Sequence, residues 1–133
     1  MKSYLLDTKS VLAFLGNESG ADSVEELLWR AVQEQRQICL PVTSWGEVIT
    51  AVWTSQGERY ADEVQKRLQQ LPIELVTIDV AIAQAAVGLS VKQGLPYPDC
   101  LVIAAAQQRK AVLVTTDKHL ATLQLGIRVQ VAA

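Results

Sequence analysis

The sequence predicts an α/β fold, a central parallel β-sheet flanked by helices, and three observations carry that expectation. Short apolar runs of strand length, such as Lys2 to Leu6, Ile38 to Pro41 and Ala111 to Val114, alternate with helical patterns. These runs are nearly continuous in apolar residues, as strands are when crossover helices cover both faces of a parallel sheet. An acid recurs just after the strand-like runs, at Asp7, Asp79 and Asp117. The chain has 133 residues and is 50% hydrophobic, which is one ordinary domain's worth of core, so 1–133 is read as a single domain.

The first strand is expected over Lys2 to Leu6, with Asp7 and Thr8 capping a helix that carries Val11, Leu12, Phe14 and Leu15 and stops at Gly16-Asn17. Asp22-Ser23-Val24-Glu25 has capping-box chemistry and predicts a helix to about Gln35. Ile38 to Pro41 is the second strand. Ser44-Trp45-Gly46-Glu47 is expected to open the next helix, through Trp53, with Gln56-Gly57 breaking it. Arg59 to Leu71 reads as a charged amphipathic helix and Ile73 to Ile78 as a third strand. Asp79 then caps a helix from Val80 to Lys92.

Gly94, Pro96 and Pro98 punctuate the approach to a helix that is apolar nearly all round, Leu101 to Ala106, and therefore packed between other elements. Pro98 suits a first turn, where its missing N–H would have no partner, and Asp99 follows at the positive end of the helix dipole. A strand around Val112 leads to Thr115-Thr116-Asp117. A short helix over Lys118 to Leu123 and a last strand around Ile127 to Val131 complete the chain.

Charge is nearly balanced, 12 basic against 14 acidic residues, so no global basic field marks a nucleic-acid binder and any RNA contact must come from a local patch or a metal ion. Cys39 and Cys100 form no C-x-x-C and have no histidine cluster beside them, and read as small core residues. The apolar run at the N-terminus is too short for a signal peptide, and no segment approaches a membrane span of about 18 residues. A cytoplasmic protein with no membrane contact is expected.

Asp7, Glu47, Asp99 and Asp117 all fall at the carboxyl edge of the expected sheet, where ligands gather in such folds. Each has a structural reading as a helix cap, capping-box member or first-turn acid. Together they would crowd one cleft with like charges that a cation or protons must neutralise. An oxygen-only donor set without His or Cys points to a hard divalent ion, Mg²⁺ or Mn²⁺, rather than zinc. Thr8 and Thr115 are either further oxygen contacts or ordinary cap hydroxyls.

Leu6-Asp7-Thr8, Ser44-x-x-Glu47-Val48, Pro98-Asp99-x-Leu101-x-Ile103-Ala104-Ala105-Ala106 and Thr115-Thr116-Asp117 resemble the ordered acidic motifs of PIN-domain ribonucleases, over essentially the whole chain. In length and layout the chain is similar to the VapC-type toxins of bacterial toxin–antitoxin pairs. The resemblance implies a Mg²⁺- or Mn²⁺-dependent endoribonuclease acting on an RNA substrate and inhibited by a small antitoxin protein. It implies that Asp7, Glu47, Asp99 and Asp117 are the catalytic, metal-binding acids. Lys9 departs from the pattern, standing where small hydroxyl or apolar residues are common; it would either hold a phosphate or point into solvent, and solvent is the expectation.

Lys118 and Arg109 are further candidate phosphate contacts, and His119 reads as a surface helix residue. Trp45 and Trp53 share one broad side of their helix and Trp29 lies at an apolar margin. They are either core residues or part of a homodimer or antitoxin interface. A haloacid-dehalogenase-type phosphatase would need an acid where Lys9 stands. A receiver would need a phosphoacceptor aspartate at the end of a middle strand, and Ile38 to Pro41 ends without one. A non-catalytic PIN-like protein-binding module remains the alternative, although such a degenerate module should have lost acids and all four are present.

Overall fold

A computed structural model of the chain describes residues 2–133. The five strands are β1 (Ser3–Leu6), β2 (Gln37–Pro41), β3 (Glu74–Val76), β4 (Val112–Thr115) and β5 (Val129–Val131). They form one sheet in the order β3-β2-β1-β4-β5, with every pair parallel. The helices are α1 (Thr8–Leu15), α2 (Ala21–Gln33), α3 (Val42–Gln56), α4 (Glu58–Gln70), α5 (Val80–Gln93) and α6 (Tyr97–Arg109), with a short 3₁₀ helix at Lys118–Thr122.

The apolar strands divide their side chains between two cores with the period of two that a pleated strand imposes. Tyr4, Leu6, Ile38, Leu40, Val112 and Val114 pack with the inner faces of α1 to α4. Leu5, Cys39 and Leu113 point the other way, onto Ile82 and Ala86 of α5 and onto Cys100 and Ile103 to Ala106 of α6. Three successive alanines let α6 lie close between α5 and the sheet, where a larger side chain would force the layers apart. Cys39 and Cys100 are free, fully buried core residues.

Sheet order places the site. The chain builds outward from β1 through β2 to β3, then crosses back so that β4 lies on the other side of β1. The strand order therefore reverses between β1 and β4, the point at which open α/β sheets hold their ligands beyond the strand ends. Asp7 follows β1 and Asp117 follows β4.

Two helix starts differ from expectation. Helix α2 begins at Ala21, capped by Gly20 at φ 99°, and not by Asp22 or Ser23. A Cβ at Gly20 would lie 2.8 Å from Ala132 O, so the closeness of the C-terminal segment selects glycine there. Helix α3 begins at Val42, with Pro41 as its N-cap, so Ser44 is inside the helix and Glu47 is not a capping-box residue. The third strand is shorter than Ile73 to Ile78 because its partner β2 stops at Pro41, opposite Val76, and β5 is likewise shorter than Ile127 to Val131. Among the described residues no helix is long and apolar enough to cross a membrane.

Candidate functional site

Asp7 is the anchor of the site. It is only 8% exposed and ends β1 as the N-cap of α1, its Oδ1 accepting from Ser10 N at 2.8 Å while Ser10 Oγ donates to its carbonyl at 3.0 Å. Burial pushes its carboxyl above the ordinary value, and hydrogen bonds from Thr115 and Ser10, with the charge of Lys9, pull part of that back. Capping and a place in the cleft are one position here.

Thr115, fully buried at the end of β4, links two of the acids. Its Oγ1 accepts from Asp117 N at 3.0 Å, and its hydroxyl stands near enough to the Asp7 carboxyl to lower it. Asp117 in turn caps the 3₁₀ helix through His119 N at 2.9 Å and receives Lys9 Nζ on Oδ2 at 3.4 Å. Glu47, on the second turn of α3, accepts from Thr8 Oγ1 at 2.8 Å. Thr8 thus orients the Glu47 carboxylate, while Thr115 holds the Asp117 backbone.

Asp99 lies in the first turn of α6, after Tyr97 and Pro98, and among the described residues no donor holds its side chain. Its carboxyl is raised mainly by burial; Lys9 lowers it, and the charges of Asp7, Glu47 and Asp117 raise it again. The charges of all four of these groups reach Asp99, which places the acids that follow β1 and β4 and those of α3 and α6 on the same side of the sheet's carboxyl edge.

The donor set is oxygen throughout, which suits a hard divalent ion. As they stand, however, no three His, Cys, Asp or Glu side chains among the described residues are close enough together to grip an ion. The reason is visible in their partners: Glu47 is turned to Thr8, Asp117 to Lys9 and His119 N, and Asp7 to Ser10 and Thr115. Glu47 is exposed and Asp117 partly so, so both can change rotamer without disturbing the core. The chemistry of the set suits a hard divalent ion.

The remaining candidates separate. Lys9 does not simply point into solvent; it faces the acids and pairs with Asp117. Arg109 closes the far end of α6, about 15 Å from Asp99 at 1.5 Å per residue, and acts on Cys39 instead, so it is no phosphate contact of this cleft. His119 and Lys118 are exposed, His119 offering Asp117 only its backbone N–H. Asp79 caps α5, accepting from Ile82 N at 2.8 Å and Gln108 Nε2 at 3.0 Å, beyond the edge strand two strands from β1.

The tryptophans also separate. Trp45 is half-buried against the first core, while Trp53 is 47% and Trp29 63% exposed. A shallow groove of about 330 Å³ runs between Trp45, Ile49, Thr50 and Trp53. A second, of about 290 Å³, is lined by Phe14, Leu28, Trp29, Val32, Leu71 and Pro72, with Glu25 beside them. Sequence reading missed the valines of α5: Val80, Val87 and Val91 are exposed along one side of a helix with no charged residue before Lys92.

Among solved structures, a DNA-bound VapBC from Salmonella typhimurium superposes with a TM-score of 0.79 over 100% of both chains at 16% identity. A toxin–antitoxin complex from Klebsiella pneumoniae gives 0.74 over 98% of both at 21% identity. The sarcin–ricin loop cleaving toxin VapC20 of Mycobacterium tuberculosis gives 0.61 at 14% identity, over 84% of this chain and 87% of that one. At such identities the likeness is one of fold. No relative was found among curated proteins. The PIN domain profile, in contrast, matches residues 4–124, spanning β1 through the 3₁₀ helix and every acid of the cleft, and by that match the chain belongs to the PIN domain family.

Proposed function

We propose that this protein is a divalent-metal-dependent endoribonuclease, the VapC-type toxin of a toxin–antitoxin pair. The observation that carries this reading is the placing of Asp7, Glu47, Asp99 and Asp117 around the β1/β4 switch point, with Asp99 raised by burial and, in smaller part, by the charges of the other three. Four carboxylates drawn together from four elements at the expense of electrostatic repulsion are accounted for by a cation they share. Membership of the PIN family and the fold of VapC20 support RNA as the substrate.

In this mechanism Thr115 holds the Asp117 backbone and stands near Asp7, and Glu47 and Asp99 approach from the helices on opposite faces of the sheet. The four would hold Mg²⁺ or Mn²⁺, which would supply a water acidified toward neutral pH and positive charge for the scissile phosphate. The buried side of the cleft, Asp7 and Thr115, fixes ligand geometry; the exposed side, Glu47 and Asp117, admits the RNA strand. No protein nucleophile is required.

The partner we assign is a small antitoxin protein, supported by the VapBC and toxin–antitoxin complexes that share this fold. Its apolar contacts would fall on the exposed tryptophan surfaces. A homodimer would use the charge-free valine side of α5, which can face its own copy without burying an unpaired charge.

The test is cleavage of an unstructured RNA by the wild type and by Asp99→Asn. Cleavage that requires Mn²⁺ or Mg²⁺, stops in chelator and is lost in a folded Asp99→Asn variant is the expected result. Undiminished cleavage by that variant would remove Asp99 from the mechanism. A wild type that binds metal but cleaves no RNA would favour the non-catalytic binding module.

A further inference from the structure

Lys9 is placed against the preference of its helix. It occupies the first turn of α1, which has no acidic residue there, and so puts an ammonium beside the positive end of the helix dipole. Its side chain is more than half exposed and free to extend into water. Instead it turns inward, and Nζ stands 3.4 Å from Asp117 Oδ2 across 108 positions of sequence. Its charge reaches Asp99 and Asp7 as well. Among the described residues no other lysine, arginine or histidine side chain makes a salt bridge to any of the four acids.

We propose that Lys9 is a tethered cation of the acid cleft, neutralising Asp117 and limiting the cleft to a single divalent ion. The inference rests on the metal-binding reading above and deepens it. With four carboxylates and one ammonium the cleft carries a formal charge of −3, which one divalent ion brings to −1. Without the ammonium, −4 would leave −2 after the first ion and accommodate a second. A long flexible side chain suits this role, because Nζ can leave Asp117 when the ion draws that carboxylate in. Lys9 is therefore a positioning residue, acting through Asp117.

Calorimetric titration with Mn²⁺ alone, on wild type, Lys9→Met and Lys9→Arg, tests this without any RNA. Lys9→Met preserves the length and apolar stem, and circular dichroism checks that it folds. The expected result is one Mn²⁺ per wild-type chain, and in Lys9→Met either a second ion per chain or an affinity about tenfold or more higher, as follows from removing a unit positive charge a few ångströms from a divalent one. Lys9→Arg should behave as wild type. Identical stoichiometry and affinity in wild type and Lys9→Met would overturn the role of Lys9 while leaving the metal site standing. A wild type that takes up two ions would also overturn it, and one that takes up none would overturn both readings.

Discussion

Thr115→Val offers a sharp test of how the cleft is assembled. The substitution keeps the branched shape at a fully buried position and removes only the hydroxyl, which accepts from Asp117 N at 3.0 Å and lowers the nearby Asp7 carboxyl. A partly buried N–H left without a partner costs about 1–2 kcal/mol. For a domain of this size that lowers the melting temperature by about 4–8 °C. The Thr115 hydroxyl favours ionised Asp7, so this part of its stabilisation is present at neutral pH and fades as acid protonates Asp7 through its raised pKa. Urea unfolding at pH 7 and near pH 4 measures both effects. Thr115→Ser, which loses a buried methyl but keeps the hydroxyl, should cost about 1 kcal/mol and retain Mn²⁺ affinity. A loss below about 0.5 kcal/mol in Thr115→Val at pH 7 would refute the bridging role.

Three other outcomes follow from the geometry. Asp79→Asn should leave RNA cleavage unchanged, since Asp79 belongs to the cap of α5 beyond the edge strand; a loss of activity comparable to that of Asp99→Asn would contradict the sheet order as a guide to the site. Asp79→Ala should melt below wild type at pH 7, and the gap should close in acid: hydrogen bonds from Ile82 N and Gln108 lower the Asp79 carboxyl, so its contribution is present above 3.8 and lost as pH falls through the lowered value. Trp53→Ala should weaken antitoxin binding in sedimentation more than it lowers the melting temperature, because Trp53 is 47% exposed; a large loss of melting temperature with antitoxin binding unchanged would return it to the core.

The parts of this structure that were legible in the sequence are those where one local signal suffices. Buried strands read as apolar runs, and Pro98 with Asp99 marked the first turn of α6. Helix starts at α2 and α3 were misplaced because good capping chemistry at Asp22 and Ser44 was overruled, at Gly20 by the close approach of Ala132 and at Pro41 by the chain turning directly from strand into helix. The positions of the four acids, after a strand or early in a helix, could be read from their order in the chain. Their mutual partners could not: Lys9 with Asp117 and Thr8 with Glu47 join residues 108 and 39 positions apart, and only the crossover to β4 and the packing of α3 on α1 bring them together. Nor could exposure of Val80, Val87 and Val91, since valine in an apolar helix reads as core until the sheet has been covered.

Thermal melting in chelator and in Mg²⁺ or Mn²⁺ decides whether these four acids are held together to bind a divalent ion. An ion that binds only the folded state, present at about a hundred times its dissociation constant, stabilises by about 2.7 kcal/mol, which here is a rise of about 8–15 °C. Asp99→Asn should melt above wild type in chelator, because it removes a charge that burial and the other acids disfavour, and it should respond to the ion by less than half as much. A wild-type melting temperature indifferent to millimolar Mg²⁺ and Mn²⁺, or an equal rise in Asp99→Asn, would contradict a shared ion at this cleft.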